Sequence, residues 1–507
     1  MNTFRIRMSA LAACISLFAG PAAAQNCDSV CVEGETCIAA ALYPYVPDTT
    51  AFASAICSAW SQAGYTEKLY LIADESVWDG GYSSDPVYTN GSGAQTPIDV
   101  FVYDAMYLNY WAQQTVPVPA DQISDPGDFV EYARTALVRS DGSMTALPVL
   151  GCTNIMFYLQ GDSGMEGVST LAQFFDVNPA GVYISPVPFG RSGAMLDMSG
   201  STTIGVDYMV RGYLQNGAWP DMGPLDGAII TPLARLSESA SYYNALTGAI
   251  PSLPDVEDQY VRAGYFSQGY GRTSIGFSES MSQMSDDTRS RVRLSAFPWS
   301  DHADANNLFY ADVAGVNAQS SFLADGGDLP FRLANLMTRE AVLQDSIAPP
   351  GGPLSYLFPA RVSVLNSLAQ QDPLYAQMAG VLNSKPAELV AMPTSDRDAF
   401  HAFGGTVRSA VKQAFQGHCD LESPQFINSN TQAQTICPQV CADSGGWIGS
   451  WTNVAPPAWP QYSACGCAVC TADSPLPPAA DGTGMRAFSP MRASIAPTDG
   501  VRRYQRN

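Results

Sequence analysis

Cys152 is the strongest candidate nucleophile in this sequence of 507 residues. It follows an apolar, strand-like segment and Gly151, and a glycine there allows the backbone to turn sharply. The chain has twelve cysteines, and no other cysteine lies within ninety residues of Cys152. Once Cys14 of the N-terminal leader is set aside, the others form two even groups: Cys27, Cys31, Cys37 and Cys57; and Cys419, Cys437, Cys441, Cys465, Cys467 and Cys470. Each group can pair within itself, which leaves Cys152 as a free reactive thiol or as one half of an intermolecular bridge. A lone cysteine is also often only a small buried apolar residue.

A thiol attacks as the thiolate and therefore needs a base to take its proton. The sequence has three histidines, His302, His401 and His418, and none stands in a cysteine-protease signature. A carboxylate can serve instead when burial raises its pKa toward that task. The base is therefore expected among the 47 aspartates and glutamates.

The charge balance limits the classes of ligand. The chain carries a formal net charge of −22, from 25 basic and 47 acidic residues. This balance argues against nucleic-acid binding, which needs clustered lysine and arginine. It suits a cationic small molecule, or a protein that is simply kept soluble by its charge. We expect no metal and no cofactor, since Cys465, Cys467 and Cys470 lack the paired spacing of a zinc site.

The N-terminus predicts export. Arg5 and Arg7 precede an apolar run over residues 8–19, and small residues follow at 22–24. This pattern indicates a signal peptide over 1–24 rather than an uncleaved anchor, because the apolar run is short. No later apolar run reaches the ~18 residues of a membrane span. We therefore expect a secreted or periplasmic protein, monomeric, in which disulfides can form.

The rest of the chain divides into three parts. Residues 25–416 alternate strand-like and helix-like segments, which predicts an α/β fold with mostly parallel sheets. Residues 417–472 hold six cysteines with almost no aliphatic periodicity, which is typical of a disulfide-stapled module. Residues 473–507 are rich in Pro, Ala, Gly and Arg and are expected to be a disordered tail. Strands are expected at 38–46, 68–73, 98–103 and 149–158, and helices at 50–63, 105–114, 332–344, 360–370, 374–382 and 396–416.

Several motifs of the large body resemble those of thiaminase I (thiamine pyridinylase), in the same order along the chain. They are 41–47 (ALYPYVP), 102–108 (VYDAMYL), 147–158 (LPVLGCTNIMFY), 275–281 (IGFSESM), 309–312 (FYAD) and 356–361 (YLFPAR). The last has no assigned role. The resemblance implies a two-lobed fold similar to group II periplasmic binding proteins, with the ligand between the lobes. It also implies that a thiolate adds to the pyrimidine ring of thiamin, that the thiazole leaves, and that an amine or pyridine takes its place.

The resemblance implies that Cys152 is the nucleophile and that Glu279 is its general base. Asp104 and Asp312 would bind the aminopyrimidine, and aromatic side chains would form a wall for planar rings: Tyr43, Tyr45 and, in 78–82 (WDGGY), Tyr82. Each residue also has a plainer interpretation. Glu279 could be a surface carboxylate, Asp104 the N-cap of the helix at 105–114, and Asp312 a turn residue, while the tyrosines could belong to the core.

Two further features qualify the resemblance. Phe277 stands in the glutamate motif where the family pattern has a tyrosine, which would remove one hydroxyl from the cleft. Other acidic cleft residues have no clear position, and Asp128, Glu131 and Asp141 are the alternatives.

The C-terminal module resembles the mannan-binding lectin domain of some cyanobacterial proteins. The resemblance lies in 427–430 (INSN), 437–441 (CPQVC), 445–453 (GGWIGSWTN) and 465–467 (CGC). Trp447 and Trp451 could stack on sugar rings of a polysaccharide, or could fill a very small core at helical or turn spacing. Two other functions stay open besides the transferase: an exported receptor for thiamin or another small molecule, and a carbohydrate-binding adhesin.

Overall fold

The large body is built on two β-sheets that the chain joins by short crossings. The structure is a computed structural model that describes residues 27–467 except 28, 33, 44–48, 74–85, 179–193, 197–200, 240–262, 265, 270, 325, 395, 415–418, 444–445 and 455–461. The expected signal peptide at 1–24, the expected tail at 473–507, and Tyr45, Tyr82 and His418 lie outside the described residues.

The larger sheet organises the first lobe. Its strands are β1 (Cys37–Ala41), β2 (Lys68–Ile72), β5 (Val100–Asp104), β6 (Thr115–Val116), β7 (Leu147–Cys152), β12 (Asn307–Asn317), β13 (Phe358–Pro359) and β14 (Ala387–Leu389). Six of them are hydrogen-bonded in the order β13-β7-β12-β5-β1-β2, and β6 and β14 also pair with β12. A separate hairpin joins β3 (Val87–Thr89) to β4 (Gln95–Pro97).

The second lobe surrounds a smaller sheet in the order β11-β8-β10-β9. Its strands are β8 (Asn154–Leu159), β9 (Ala194–Leu196), β10 (Thr273–Phe277) and β11 (Val292–Ala296).

The expectation of mostly parallel sheets is wrong. β1 pairs in parallel with β2 and β5, but β12 runs antiparallel to both β5 and β7. β8 is likewise antiparallel to β10 and β11. The reason is that β12 returns from the second lobe into the middle of the first sheet, so the strands on either side of it point the other way.

Helices cover both sheets. Their bounds are α1 (Thr49–Gln62), α2 (Leu108–Trp111), α3 (Glu131–Leu137), α4 (Ser163–Glu166), α5 (Leu171–Val177), α6 (Ser201–Asn216), α7 (Gly227–Ser239), α8 (Asp286–Arg291), α9 (Ser321–Ala324), α10 (Leu329–Met337), α11 (Glu340–Ile347), α12 (Val362–Gln371), α13 (Pro373–Asn383), α14 (Arg397–Ala414) and α15 (Asn430–Val440). Short 3-10 turns occur at Ala105–Tyr107, Ala120–Gln122, Pro126–Asp128 and Ser278–Gln283. In the described part of the chain, no helix is both long and apolar enough to span a membrane.

Two expected helices differ from the structure. The helix expected at 332–344 is two helices, α10 and α11, because Arg339 adopts an extended conformation between them. Thr338 is the C-cap of α10, and its hydroxyl donates to the Asn335 carbonyl at 3.0 Å. The helix expected at 105–114 is only a 3-10 turn followed by the single turn α2.

The chain passes between the lobes at short segments. Thr153 is the single residue between β7 and β8, and its hydroxyl donates to the Leu308 carbonyl of β12 at 2.7 Å. Residues 297–306 make the return passage from β11 to β12. These two crossings place the end of β7 and the start of β8 next to β12, at the junction of the lobes.

Disulfides close both ends of the described chain. In the N-terminal group Cys27 pairs with Cys57 and Cys31 with Cys37. In the C-terminal module Cys437 pairs with Cys465 and Cys441 with Cys467. The module is a three-stranded sheet, ordered β15 (Cys419–Glu422), β17 (Tyr462–Cys467) and β16 (Trp447–Val454), packed against α15. Pairing within each group is confirmed for these eight cysteines.

Candidate active site

Cys152 is the last residue of β7, and it is the free cysteine of the described chain. Its side chain is half-buried. Gly151 is required beside it: a Cβ at this position would lie 2.4 Å from the Tyr132 hydroxyl oxygen. The glycine therefore lets β7 pass over Tyr132 and end with the thiol at the lobe junction.

Strand β12 carries two side chains next to the thiol. Tyr310 is registered opposite Cys152, and Asp312 opposite Leu150. Asp312 is in turn registered with Asp104, the last residue of β5. Because side chains alternate along a strand, these residues share one face of the sheet. Two carboxylates and the thiol are thus collected on neighbouring strands.

The second lobe contributes Glu279. Phe277 at the end of β10 is registered with Asn154 of β8, and the 3-10 turn at Ser278–Gln283 follows at once. Glu279 lies in the first turn of this segment and is only 5% exposed. The Ser278 hydroxyl donates to its Oε2 at 3.3 Å. The surface interpretation of Glu279 is therefore wrong, because the carboxylate is buried.

Burial has the largest effect on the pKa values of the site, and neighbouring like charges add to it. Burial raises the pKa of the Cys152 thiol well above its ordinary value, and the charges of Glu279, Asp312 and Asp104 raise it further. Burial also raises the pKa of Asp312, and the charges of Asp104 and Glu279 add to the effect. Burial raises the pKa of Asp104 to about 7, partly offset by its hydrogen bond from the Met106 amide. Burial and the neighbouring charges therefore both favour the protonated thiol, and the acidic cluster suits a ligand that brings positive charge.

The comparisons with known proteins identify the family. Residues 153–300 match the Thiaminase-1 domain family. Over 362 residues the chain is 31% identical to the Thiaminase-1 of Paenibacillus thiaminolyticus, covering 69% of this chain and 82% of that protein. This chain belongs to the thiaminase-1 family.

Solved structures agree with this assignment. Clostridium botulinum thiaminase I in complex with thiamin is 25% identical, with a TM-score of 0.64 over 75% of this chain and 100% of that one. Thiaminase I from Bacillus thiaminolyticus is 27% identical, with a TM-score of 0.63 over 75% of this chain and 99% of that one. The maltose-bound MalE3 of T. maritima is 13% identical with a TM-score of 0.52 over 75% of this chain and 95% of that one, and shows the fold alone. The two-lobed α/β fold expected from the thiaminase I resemblance is confirmed.

Four residues predicted from the thiaminase-1 motifs come together. Cys152, Glu279, Asp104 and Asp312 are close enough for their charges to interact. Asp104 also caps the 3-10 turn that follows it, since its Oδ1 accepts the Met106 amide at 2.8 Å. Asp312 lies within β12, so its interpretation as a turn residue is wrong. The cluster assigned from separate motifs is therefore one site.

The tyrosine wall is described only in part. Tyr43 lies just beyond β1 and is half-buried, packed against the core of the large body. Both its expected role as a ring platform and its interpretation as a core residue stay open. Tyr45 and Tyr82 fall outside the described residues.

Two residues of the site were missed by sequence reasoning. Tyr310 stands two positions before Asp312, and this period-two spacing on a strand was a usable signal for a shared face. Its ring meets Phe277 edge-on at 5.6 Å, and its hydroxyl lies 3.5 Å from Asn154 Nδ2. Burial raises the pKa of Tyr310, followed by the charge of Asp207 on α6, a residue that is 4% exposed. No local signal in α6 singled out Asp207.

The three acidic residues that the sequence offered as alternative cleft residues lie outside the cluster around Cys152. Asp128 accepts hydrogen bonds from Arg361 and from Ser363. Asp141 accepts the amide and hydroxyl of Ser143 in a tight turn. Glu131 is exposed at the start of α3. None of the three is among the charges that act on Cys152.

Arg361, of the motif without an assigned role, is a structural residue. It is 2% exposed and its guanidinium donates to the carbonyls of Thr338, Asp125 and Ser124. Together with its ion pair to Asp128 at 3.4 Å, it ties the start of α12 to the loop before α3.

The histidines and the module tryptophans lie elsewhere. His302 is exposed and contacts Gln215, while His401 is exposed on α14. Trp447 and Trp451 lie on strand β16, so the expected helical or turn spacing is wrong. Both are half-buried and pack against the disulfide core of the module. Among the described residues, no group of three or more His, Cys, Asp and Glu side chains is placed to hold a metal ion.

Proposed function

We propose that this protein is an exported transferase of the thiaminase I type, which replaces the thiazole of thiamin with an amine or pyridine through a covalent bond between Cys152 and the pyrimidine. One observation carries the proposal. The free thiol of Cys152 ends a strand beside a buried Glu279 and the registered pair Asp104 and Asp312, in a chain of the thiaminase-1 family.

The residues have complementary tasks. Glu279 takes the thiol proton as Sγ bonds to the pyrimidine carbon next to a ring nitrogen. The electrons placed in the ring then expel the thiazole as a neutral molecule and leave an electrophilic methylene carbon. Once the thiazole has left, Glu279 releases the thiol proton to solvent when the acceptor is an amine, and keeps it when the acceptor is a pyridine. The amine or pyridine bonds to the methylene carbon, and an amine gives its proton to Glu279. The bond from Sγ to the ring breaks last, and Glu279 returns its proton to the departing thiolate. Glu279 thus acts first as a base for sulfur, then as a base for an amine, and finally as the acid for the leaving thiolate.

The acidic surroundings suit this substrate. Burial and three neighbouring carboxylates oppose formation of the Cys152 thiolate. The thiazolium cation of thiamin would offset that charge and so lower the cost of ionising the thiol. Asp104 and Asp312 would then bind the aminopyrimidine and stabilise the charge that develops on it. The site is therefore activated by the substrate that it cleaves.

The test is thiamin turnover by the purified full chain. Thiamin is mixed with aniline or pyridine, and thiazole release and the acceptor adduct are followed by mass spectrometry. We expect Cys152→Ser to be inactive and Glu279→Gln to lose at least ~100-fold. Glu166→Gln, which removes an exposed carboxylate of the second lobe, is the matched control and should keep full activity.

Intact mass distinguishes the covalent route. Without an acceptor, the wild type should gain the mass of the pyrimidine on the peptide that contains Cys152. Binding of thiamin with no turnover in the wild type would instead favour the alternative, a solute-binding protein. Normal turnover by Cys152→Ser would contradict the covalent route but would still support a transferase.

Export and the C-terminal module are part of the same proposal. The disulfides support an oxidising compartment, either secreted or periplasmic. Trp447 and Trp451 leave part of their rings exposed on β16, which supports sugar stacking and attachment to a polysaccharide. Retention of the full chain on immobilised mannan, lost in Trp451→Ala, would support attachment. Equal passage of both proteins would count against it.

A further inference from the structure

A cavity at the junction of the two lobes is distinct from the acidic site around Cys152. Its volume is about 190 Å³. Thr153 and Asn154 line it from the first crossing, Phe297 and Trp299 from the second, and Lys385 from the turn between α13 and β14. Neither Cys152 nor Glu279 is part of the lining. Drug-sized ligands take ~300 Å³ or more, so this cavity suits a smaller molecule.

Lys385 is the charged group of interest. The chain has three lysines, Lys68, Lys385 and Lys412, in a protein of net charge −22. Lys68 forms an ion pair with Glu35 at 2.9 Å. Lys385 makes no ion pair with any described residue, although the charge of Asp304 reaches it through space. Burial lowers the pKa of Lys385, which indicates that its ammonium group has lost part of its water.

The rest of the lining includes an apolar wall. Phe297 and Trp299 line the cavity and meet edge to face, with ring centroids 4.8 Å apart. A cation and two aromatic rings therefore surround one small cavity.

We propose that this cavity binds a small aromatic carboxylate. The carboxylate pairs with the Lys385 ammonium, and the ring packs against Phe297 and Trp299. An anion is repelled by the carboxylates around Cys152, so the two sites take ligands of opposite charge. The ligand contacts segments from both crossings and so rests at the junction of the lobes.

The test uses benzoate as the probe and the lysines as reporters. The full-length protein is acetylated briefly with a limiting activated ester, and modification of each lysine is quantified by peptide mass spectrometry. We expect benzoate to protect Lys385, which lines the cavity, at least ~5-fold and to leave Lys68 unchanged, because Lys68 is not part of the lining. Benzamide, a neutral molecule of the same shape, should give no protection. Protection of no lysine, or of Lys385 and Lys68 alike, overturns the proposal.

Calorimetry with variants gives a second reading. Lys385→Gln should weaken benzoate binding at least ~10-fold, since it removes a charge-assisted hydrogen bond. Lys385→Arg should retain most of the affinity, and Lys68→Gln, the matched control, should bind as the wild type does. Thermal unfolding of each variant verifies that it is folded. Unchanged affinity in a folded Lys385→Gln protein would refute the assignment of the site.

Discussion

The substitution Asp312→Asn tests whether carboxylates hold the Cys152 thiol in its protonated form. Asp312 is the residue to change because its charge acts on the thiol and because it is registered opposite Asp104. Asparagine keeps the size of the side chain and removes the charge. We expect the pKa of the Cys152 thiol to fall, since one of three nearby negative charges is gone.

The size of the effect follows from the strand register. Cys152 is registered with Tyr310, two residues along β12 from Asp312, which is a diagonal pair. Diagonal side chains on neighbouring strands lie roughly 7 Å apart. At an effective dielectric constant of ~20, two unit charges at that distance interact by roughly 2 kcal/mol. Solvent reaches the half-buried thiol and reduces this value, so we expect the thiol pKa to fall by about one unit.

The assay is the pH dependence of Cys152 alkylation by iodoacetamide, followed on the peptide that contains Cys152. The midpoint of the rate profile gives the thiol pKa and is read in preference to the rate, because a less basic thiolate is also a weaker nucleophile. Asp345→Asn, at an exposed position of α11, is the matched control and should not move the midpoint. An unmoved midpoint in a folded Asp312→Asn protein would refute the electrostatic account of the site.

Three further results are expected. Gly151→Ala should destabilise the protein by about 1–3 kcal/mol in thermal unfolding, because the new methyl group meets the Tyr132 hydroxyl at 2.4 Å; adding Tyr132→Phe should restore part of the loss, and an equally stable Gly151→Ala protein would contradict the contact. The KM for thiamin should rise as the pH falls through about 7, because burial raises the pKa of Asp104 to about 7 and its protonation removes a charge that attracts the cation. Asp104→Asn should flatten this pH dependence. A profile identical to that of the wild type would argue against binding of the cation by Asp104. Arg361→Met should lower the free energy of unfolding by about 3 kcal/mol, because it leaves Asp128 and buried carbonyls without their partner. Denaturant melts measure this free energy. A loss below about 1 kcal/mol would mean that water replaces the guanidinium.

Two local elements of the first lobe agree closely with the sequence-based expectation. The strand expected at 68–73 is β2 at Lys68–Ile72, and the helix expected at 50–63 is α1 at Thr49–Gln62. Both depend on periodicity within a few residues, which the sequence displays directly. The single helix expected at 332–344 is wrong because the backbone leaves the helical conformation at Thr338 and is extended at Arg339, within a continuous apolar pattern.

What the sequence by itself determined was the set of reactive groups. An odd cysteine outside two even groups indicated a free thiol, and ordered motifs supplied Glu279, Asp104 and Asp312 as its partners. What only the tertiary structure decided was how strongly these groups act on one another. Strand β12 enters the first sheet between β5 and β7 and runs against both, and this alone registers Asp312 with Asp104 and places Tyr310 beside Cys152. Such pairing joins residues separated by as many as 208 positions, so no local pattern encodes it. Electrostatic coupling depends on distance and burial, and the folded chain sets both.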